Sequence, residues 1–508
     1  MELIVSAIMS DLLNRALSKA IQRYRRSRAQ ETEHKLRRLH RVLLKIDATV
    51  EEAEGRHITN QAMLRQLQML RQGMYQGHHM LDTIRYRYSD DASGGDLPVA
   101  ALPRFSSARR LLSRPFNLPV LGTALGAEIS KQLEKTLDGL ETLVGDTAEF
   151  TIFLEGYPRI CRQPYSTHLV VGSVMFGRQM EMETVIDFLL RPDAPGNEKN
   201  PGVLPIVGAA KIGKSTLVEH VCLDERLRGH FSSIVVFTVE DLGAGDLAAF
   251  RGNAVVKHQD VAAAASHGSG SRSLAVIELA GDVDVDDETW RRLYSSAASS
   301  MGNNGKIVIT SRSEKIAALG TTRALRLRAL SREAYWYVFK SLVFGSANPG
   351  DQPEQLASLG MQIAELLDCS FLAGNIVASL MRANMNAEFW RRVLRCLRDY
   401  TRKHLLMFGE RPSRLLQKGK SVSLWRMARA HDAVTICSVY QIPATQHDVP
   451  DVTVQDLLSG RVTSQEGSFS AVAWRSTIPP YFTYLASCAS ETARCSTVNK
   501  KRPRHARE

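Results

Sequence analysis

Gly208-Ala209-Ala210-Lys211-Ile212-Gly213-Lys214-Ser215, followed by Thr216, decides how this chain of 508 residues is read. The stretch matches G-x-x-x-x-G-K-[S/T], the P-loop pattern. Its glycines let the backbone turn tightly and aim several N–H groups at phosphate oxygens, and the following helix N-terminus adds partial positive charge. The context fits, because Leu204–Val207 reads as a strand before the loop and Ser215-Thr216-Leu217-Val218 as the start of a helix after it. Residues 208–216 are therefore expected to bind a purine nucleotide, ADP or ATP, with Lys214 at the terminal phosphates and Ser215 on Mg²⁺. The alternative is a Gly-rich turn that carries no ligand.

Around the loop, short apolar runs alternate with helical stretches. Val203–Val207, Ile234–Val239, Leu274–Leu279 and Ile307–Thr310 read as strands of a parallel α/β sheet. A P-loop protein needs a second acid at the end of a neighbouring strand to hold Mg²⁺. Leu274-Ala275-Val276-Ile277-Glu278 offers Glu278, followed by Leu279 rather than another acid. Asp282, Asp284, Asp286 and Asp287 lie past Gly281 and read as a solvated acidic loop. Lys306–Arg312 is a further strand whose Arg312 would stand near the phosphates at the C-terminal edge of an open parallel sheet. No residue placed to deprotonate water is evident, so no catalytic residue is expected and the chain is at most a slow ATPase.

Upstream, helical spacing recurs in 1–22, in 32–54, where Leu36, Leu39, Val42, Leu43, Ile46, Val50 and Ala53 repeat in steps of three and four, and again in 60–81 and 129–144. Gly55 stops the second of these helices and Asn60 caps the third. Four such helices predict a bundle over 1–155, interrupted by a loop at 88–126 rich in Pro, Gly, Ser and Arg. A linker is expected at 156–175, the nucleotide-binding domain at 176–330, a helical subdomain at 331–405, a small mixed region at 406–490 and a basic, disordered tail at 491–508. The fold class is thus multidomain α and α/β. The helical domain reads equally well as an ordinary scaffold or as a protein-binding module.

The formal charge of +12 and pI near 9.4 allow an acidic partner. Lys500–Arg504 reads as a solvated tail, with a nuclear-import signal or nucleic-acid patch as the less favoured reading. Nucleic acid is not expected as a partner, since no aromatic residues interleave the basic ones. Seven scattered cysteines without a C-x-x-C pair argue against a disulfide framework and a zinc site. Neither a signal peptide nor a membrane span is read, which points to the cytoplasm and leaves the nucleus and the plasma-membrane periphery open.

The order of these pieces resembles the NB-ARC domain of plant disease-resistance proteins. Phe176-Gly177-Arg178 with Glu181 and Glu183 is similar to its opening segment. The P-loop, Phe237-Thr238-Val239, Leu274–Glu278, Trp290, Gly305–Arg312 and Leu330-Ser331-Arg332-Glu333-Ala334-Tyr335 then follow in the family's order. The N-terminal helices resemble the coiled-coil domain preceding NB-ARC in one large class. The resemblance implies an ADP/ATP switch in plant defence that acts through its helical domain on other proteins, homo-oligomerisation included. By position it assigns Gly208, Gly213, Lys214, Ser215 and Thr216 to phosphates and Mg²⁺, Glu278 to the second acid, and Arg312 to the sensor strand.

Departures from the family pattern accompany the match. Glu278-Leu279 stands where two aspartates are usual, and Cys369-Ser370-Phe371-Leu372-Ala373 lacks the proline of Gly-Leu-Pro-Leu. Ala430-His431-Asp432 is the nearest string to Met-His-Asp, the acidic motif shrinks to Met80-Leu81-Asp82, and no leucine-rich repeat follows. An adaptor or helper with a vestigial nucleotide site is therefore the second reading, and a fast NTP-hydrolysing enzyme the least favoured.

Overall fold

The computed structural model describes residues 30–56, 58–91, 124–158, 177–192, 201–239, 254–259, 272–279, 286–301, 305–345, 354–418, 420–425, 433–443, 449–460, 467–478 and 480–490. The helix expected over 1–22, the linker at 156–175 (apart from 156–158), Ala430-His431-Asp432 and the tail lie outside them. Two compact units divide these residues. The first takes in those up to 165 with 332–340 and 354–362. The second takes in those of 166–331, 341–345 and 363–490.

In the first unit, the heptad-like apolar positions form helix α1 (residues 30–54), with α2 (Gln61–Asp91), α3 (Ala124–Gly145) and α4 (Thr147–Glu155). Asn60 caps α2 as its sequence suggests, its Oδ1 accepting from the Ala62 N–H at 2.8 Å. α2 runs through Asp91 and α3 begins at Ala124, both inside the stretch expected as a loop. Leu39, Leu43 and Ile46 of α1, Leu64, Leu67 and Leu70 of α2, and Leu133, Leu137 and Leu140 of α3 are all buried. A Cβ on Gly73 would strike the Leu140 and Leu143 side chains, and one on Gly77 those of Leu43 and Leu140. The two glycines therefore form a flat strip on which α1 and α3 approach closely. Arg38 bridges α1 to Glu141 of α3 through two bonds of 2.9 and 2.8 Å. Arg56 closes the C-terminus of α4 by donating to the carbonyls of Leu154, Glu155 and Tyr157 at 2.9–3.1 Å.

Residues 332–340, the first part of a helix of the later chain, complete this unit. Asp82, the last residue of the reduced acidic motif, is buried and accepts from Trp336 Nε1 at 2.9 Å and Lys340 Nζ at 2.8 Å. The rings of Tyr75 and Tyr337 lie 5.2 Å apart beside them.

The second unit is built on six strands, among the described residues, in the order β3-β2-β4-β5-β1-β6: β1 (Gly202–Gly208), β2 (Ser233–Val239), β3 (Ala254–Gln259), β4 (Ser273–Leu279), β5 (Lys306–Ser311) and β6 (Leu325–Leu327). Four expected strands are present in parallel register. β3 and β6 went unread, and β3 runs antiparallel to β2, so the sheet is mixed at that edge. Strand alternation sorts the side chains between two faces. Leu204, Ile206, Val276 and Val308 pack under α5 (Gln179–Leu190) and α6 (Lys214–Cys222), while Val203, Val207, Ile277 and Ile309 pack with Trp290 and Tyr294 of α8 (Asp287–Met301). A short helix α7 (Glu225–Arg228) follows α6. Asp286 and Asp287 belong to the start of α8 rather than to a free loop; the Asp286 carboxylate caps the Thr289 N–H at 2.6 Å.

Beyond the sheet come α9 (Arg332–Phe344), α10 (Glu354–Leu366), α11 (Phe371–Ala383), α12 (Ala387–Phe408) and α13 (Pro412–Gln417). α11 falls within the helical subdomain expected at 331–405. Its N-cap is Ser370, whose side chain accepts from the Ala373 N–H at 3.3 Å. The C-terminal region is an antiparallel sheet, β7-β8-β10-β9, of β7 (Val422–Trp425), β8 (Ala433–Pro443), β9 (Ser468–Arg475) and β10 (Phe482–Ser490), with α14 (Val454–Ser459) against it. Its core of Val434, Ile436, Ala471, Ala486 and Cys488 is joined by Leu372 and Ile376 of α11.

Asp82→Ala leaves the Lys340 ammonium and the Trp336 N–H without their acceptor. It is expected to cost the helical unit about 3 kcal/mol. Hydrogen exchange checks this, residues 332–340 losing protection while the six-stranded sheet keeps its own.

Candidate nucleotide site

The P-loop leaves β1 at Gly208 and enters α6 at Lys214. Its backbone explains its composition. Gly213 sits at φ 99°, where only glycine is at ease, and Lys211 adopts a left-handed φ of 61°. A Cβ on Gly208 would press on Ile212 and Leu327, so the loop lies tight against β6. Ile212 is buried beneath it, whereas Ala209 is exposed. Lys214 folds back, its Nζ donating to the carbonyls of Gly208 at 2.8 Å and Ala209 at 3.0 Å. Ser215 and Thr216 follow in the first turn of α6.

Register brings the other expected residues to the same sheet edge. β5 lies between β4 and β1, pairing Thr310 with Glu278 and Ser311 with Val207. Glu278 consequently stands near the end of β4 and Arg312 directly after β5. The Ser215 hydroxyl lies close enough to the Glu278 carboxylate to pull its pKa down, which sets the two proposed Mg²⁺ positions side by side. Burial nevertheless pushes the Glu278 carboxyl above its usual range, against the pull of Ser215 and Lys214. Lys211 and Lys214 are each drawn down to about 8, first by burial and then by the charge of Arg312. Among the described residues, Lys211, Lys214 and Arg312 thus influence one another at the loop, with Glu278 the carboxylate that acts on Lys214.

Contacts invisible to local pattern reading frame this site. Arg312 Nη1 donates to the Gln417 carbonyl at the end of α13, 3.1 Å away. Burial, then the charge of Glu278, raises the Tyr484 phenol, which puts β10 within electrostatic reach of β4. Arg178, part of the opening segment, is buried and donates to Glu181 at 2.9 Å and to the Arg328 carbonyl. Glu183 receives Arg226 of α7 through bonds of 2.9 and 2.8 Å. Both acids of the opening segment are thereby committed to structure. Cys369-Ser370-Phe371-Leu372-Ala373 forms the turn into α11. Asp368 and Cys369 both take left-handed φ, and the Asp368 carboxylate is held by Arg411 at 3.3 Å and Ser413 at 2.8 Å.

Residues 6–111 match the Rx N-terminal domain. Disease resistance protein RGA2 of Solanum bulbocastanum is 23% identical over 372 residues, a match covering 70% of this chain and 35% of that protein. The chain is a relative of plant disease-resistance proteins. Disease resistance RPP13-like protein 1 of Arabidopsis thaliana is 24% identical over 417 residues, covering 77% of this chain and 37% of the relative. A further disease-resistance protein of Arabidopsis thaliana is 26% identical over 242 residues, covering 45% and 16%. The chain therefore spans little more than a third of these resistance proteins at most. Among the described residues no helix is long and apolar enough to cross a membrane.

The lysine shifts fix a pH dependence. The unfolded chain keeps both protons up to the ordinary value of 10.5, whereas the folded, ligand-free loop releases them near 8. Stability of the second unit should rise as pH climbs from 8 to 10.5, because the unfolded state binds more protons there. An anion that keeps both lysines charged must then bind more weakly above pH 8. Titration calorimetry of inorganic pyrophosphate in buffers of differing ionisation enthalpy should record proton uptake at pH 8 to 9.

Proposed function

We propose that the chain is the nucleotide-holding part of a plant-defence switch, binding ADP or ATP with Mg²⁺ and acting on other proteins through its N-terminal helices. One observation carries this reading: Lys214 folds onto the loop carbonyls of Gly208 and Ala209, with Lys211, Arg312 and Glu278 within electrostatic reach of one another at the same sheet edge. Backbone N–H groups of 209–214 and the Lys214 ammonium would hold the phosphates. Ser215 and Glu278 would hold Mg²⁺, whose charge would steady the phosphate oxygens. Ser215 and Glu278 are near neighbours and both offer oxygen, the donor type that Mg²⁺ prefers.

Exchange of nucleotide rather than rapid turnover suits these residues. Leu279 is buried and offers no second acid, so a base for water is lacking at that point of β4. Arg312 is already engaged with Gln417. A γ-phosphate would compete with that carbonyl for the guanidinium, whereas a diphosphate would leave it in place. The same bond favours a second reading, an adaptor whose nucleotide site is vestigial and whose Arg312 serves the fold.

Mass spectrometry of nucleotide released from the purified protein separates the two. The switch reading expects near-stoichiometric ADP or ATP from the wild type and at least a tenfold loss in Lys214→Ala, with partner capture altered as well. Absence of bound nucleotide, or partner capture indifferent to Lys214→Ala, overturns it in favour of the adaptor.

A further inference from the structure

The end of α12 carries four consecutive apolar residues in the open: Leu405 is 44% exposed, Leu406 77%, Met407 55% and Phe408 52%. Upstream, the same helix behaves conventionally, with Trp390, Val393 and Leu394 buried on one face. Successive helical residues project about 100° apart, so four in a row point to every side of the helix. A protein groove covers one stripe of a helix, read at steps of three and four. It leaves the remaining sides of such a tip in water. A helix end that is apolar all round matches a medium that can surround it.

The surroundings of the tip are basic. Arg402 and Lys403 are exposed in the turn before it. After it, Gly409 takes φ 66° and turns the chain away, and Arg414, Lys418 and Lys420 are exposed just beyond. Glu410 is the acid closest in sequence. Lys418 bonds it at 2.5 Å, and its carboxyl is held below the usual range by Lys418, with Lys420 and Arg414 adding to the pull. Five exposed cations thus flank the apolar point in sequence; Lys418 is paired with Glu410 and Arg414 with Asp368 at 3.7 Å, so the cations still outnumber their acidic partners.

We infer that Leu405–Phe408 is a membrane-docking tip that inserts into the interfacial layer of an anionic lipid bilayer, while Arg402, Lys403, Arg414, Lys418 and Lys420 engage its headgroups. Apolar burial and attraction to acidic lipids act together in such docking, and long basic side chains can hold their charge at headgroup level while their stems follow the apolar residues inward. The surface lies wholly within the second unit and does not depend on the nucleotide reading.

Vesicle co-sedimentation of the full chain tests it, with phosphatidylcholine alone against an equimolar mixture with phosphatidylserine. The wild type should partition onto the mixed vesicles and scarcely onto the neutral ones. L406E/F408E should abolish the difference. Removing two cations in R402A/K403A should weaken partitioning about 30-fold at low salt. Circular dichroism melts matching the wild type keep both variants interpretable, and R402A/K403A alters only exposed side chains should the first variant fail to fold. Equal binding to both vesicle types, no binding at all, or binding unchanged in R402A/K403A overturns the proposal. The last result would assign lipid binding to another basic segment, and the second would leave the tip to a protein cover.

Discussion

Charge convergence at one edge of the parallel sheet is the constraint around which the second unit is arranged. Lys211, Lys214 and Arg312 cannot share a half-buried loop at low cost unless something negative balances them, and Glu278 is a partial answer. The local solutions are visible. Lys214 turns onto two carbonyls and Arg312 onto a third. Each arrangement gives a cation a backbone oxygen in place of water. On the proposed reading, a phosphate would exchange these oxygens for charged ones.

Much of this was legible in the sequence because it is local. The strand–loop–helix at 202–222, the four apolar strands and the Asn60 cap each depend on residues within a few positions of one another, and each stands where the pattern put it. β3 was missed because Ala254–Gln259 places Lys257 and His258 in a strand at the sheet edge, where apolar alternation is not required. α11 lies inside the helical subdomain expected at 331–405, and its start at the Ser370 cap falls within the string aligned with Gly-Leu-Pro-Leu. Asp286 and Asp287 looked like a solvated loop because an acidic run and a helix N-terminus share the same composition.

Long-range partners left no local trace. Asp82 meets Trp336 and Lys340 across some 250 positions, Arg56 reaches the carbonyls at the end of α4, and Arg312 finds Gln417. The reduced motif Met80-Leu81-Asp82 carries no sign of these partners. The acceptor role of Asp82 became definite once an indole N–H and an ammonium were found converging on one oxygen. In the same way, Glu181 and Glu183 are paired with Arg178 and Arg226, and Arg178 also reaches the Arg328 carbonyl just after β6.

Gly73 and Gly77 have a consequence for the helical unit as a whole. Each costs α2 about 1 kcal/mol of intrinsic helix propensity relative to alanine, and they stand one turn apart in the middle of the helix. What they return is close approach: Leu43 from α1, and Leu140 and Leu143 from α3. The middle of α2 therefore leans on its neighbours for the stability that its own residues do not supply, so loosening α1 or α3 would be felt first at Gly73 and Gly77.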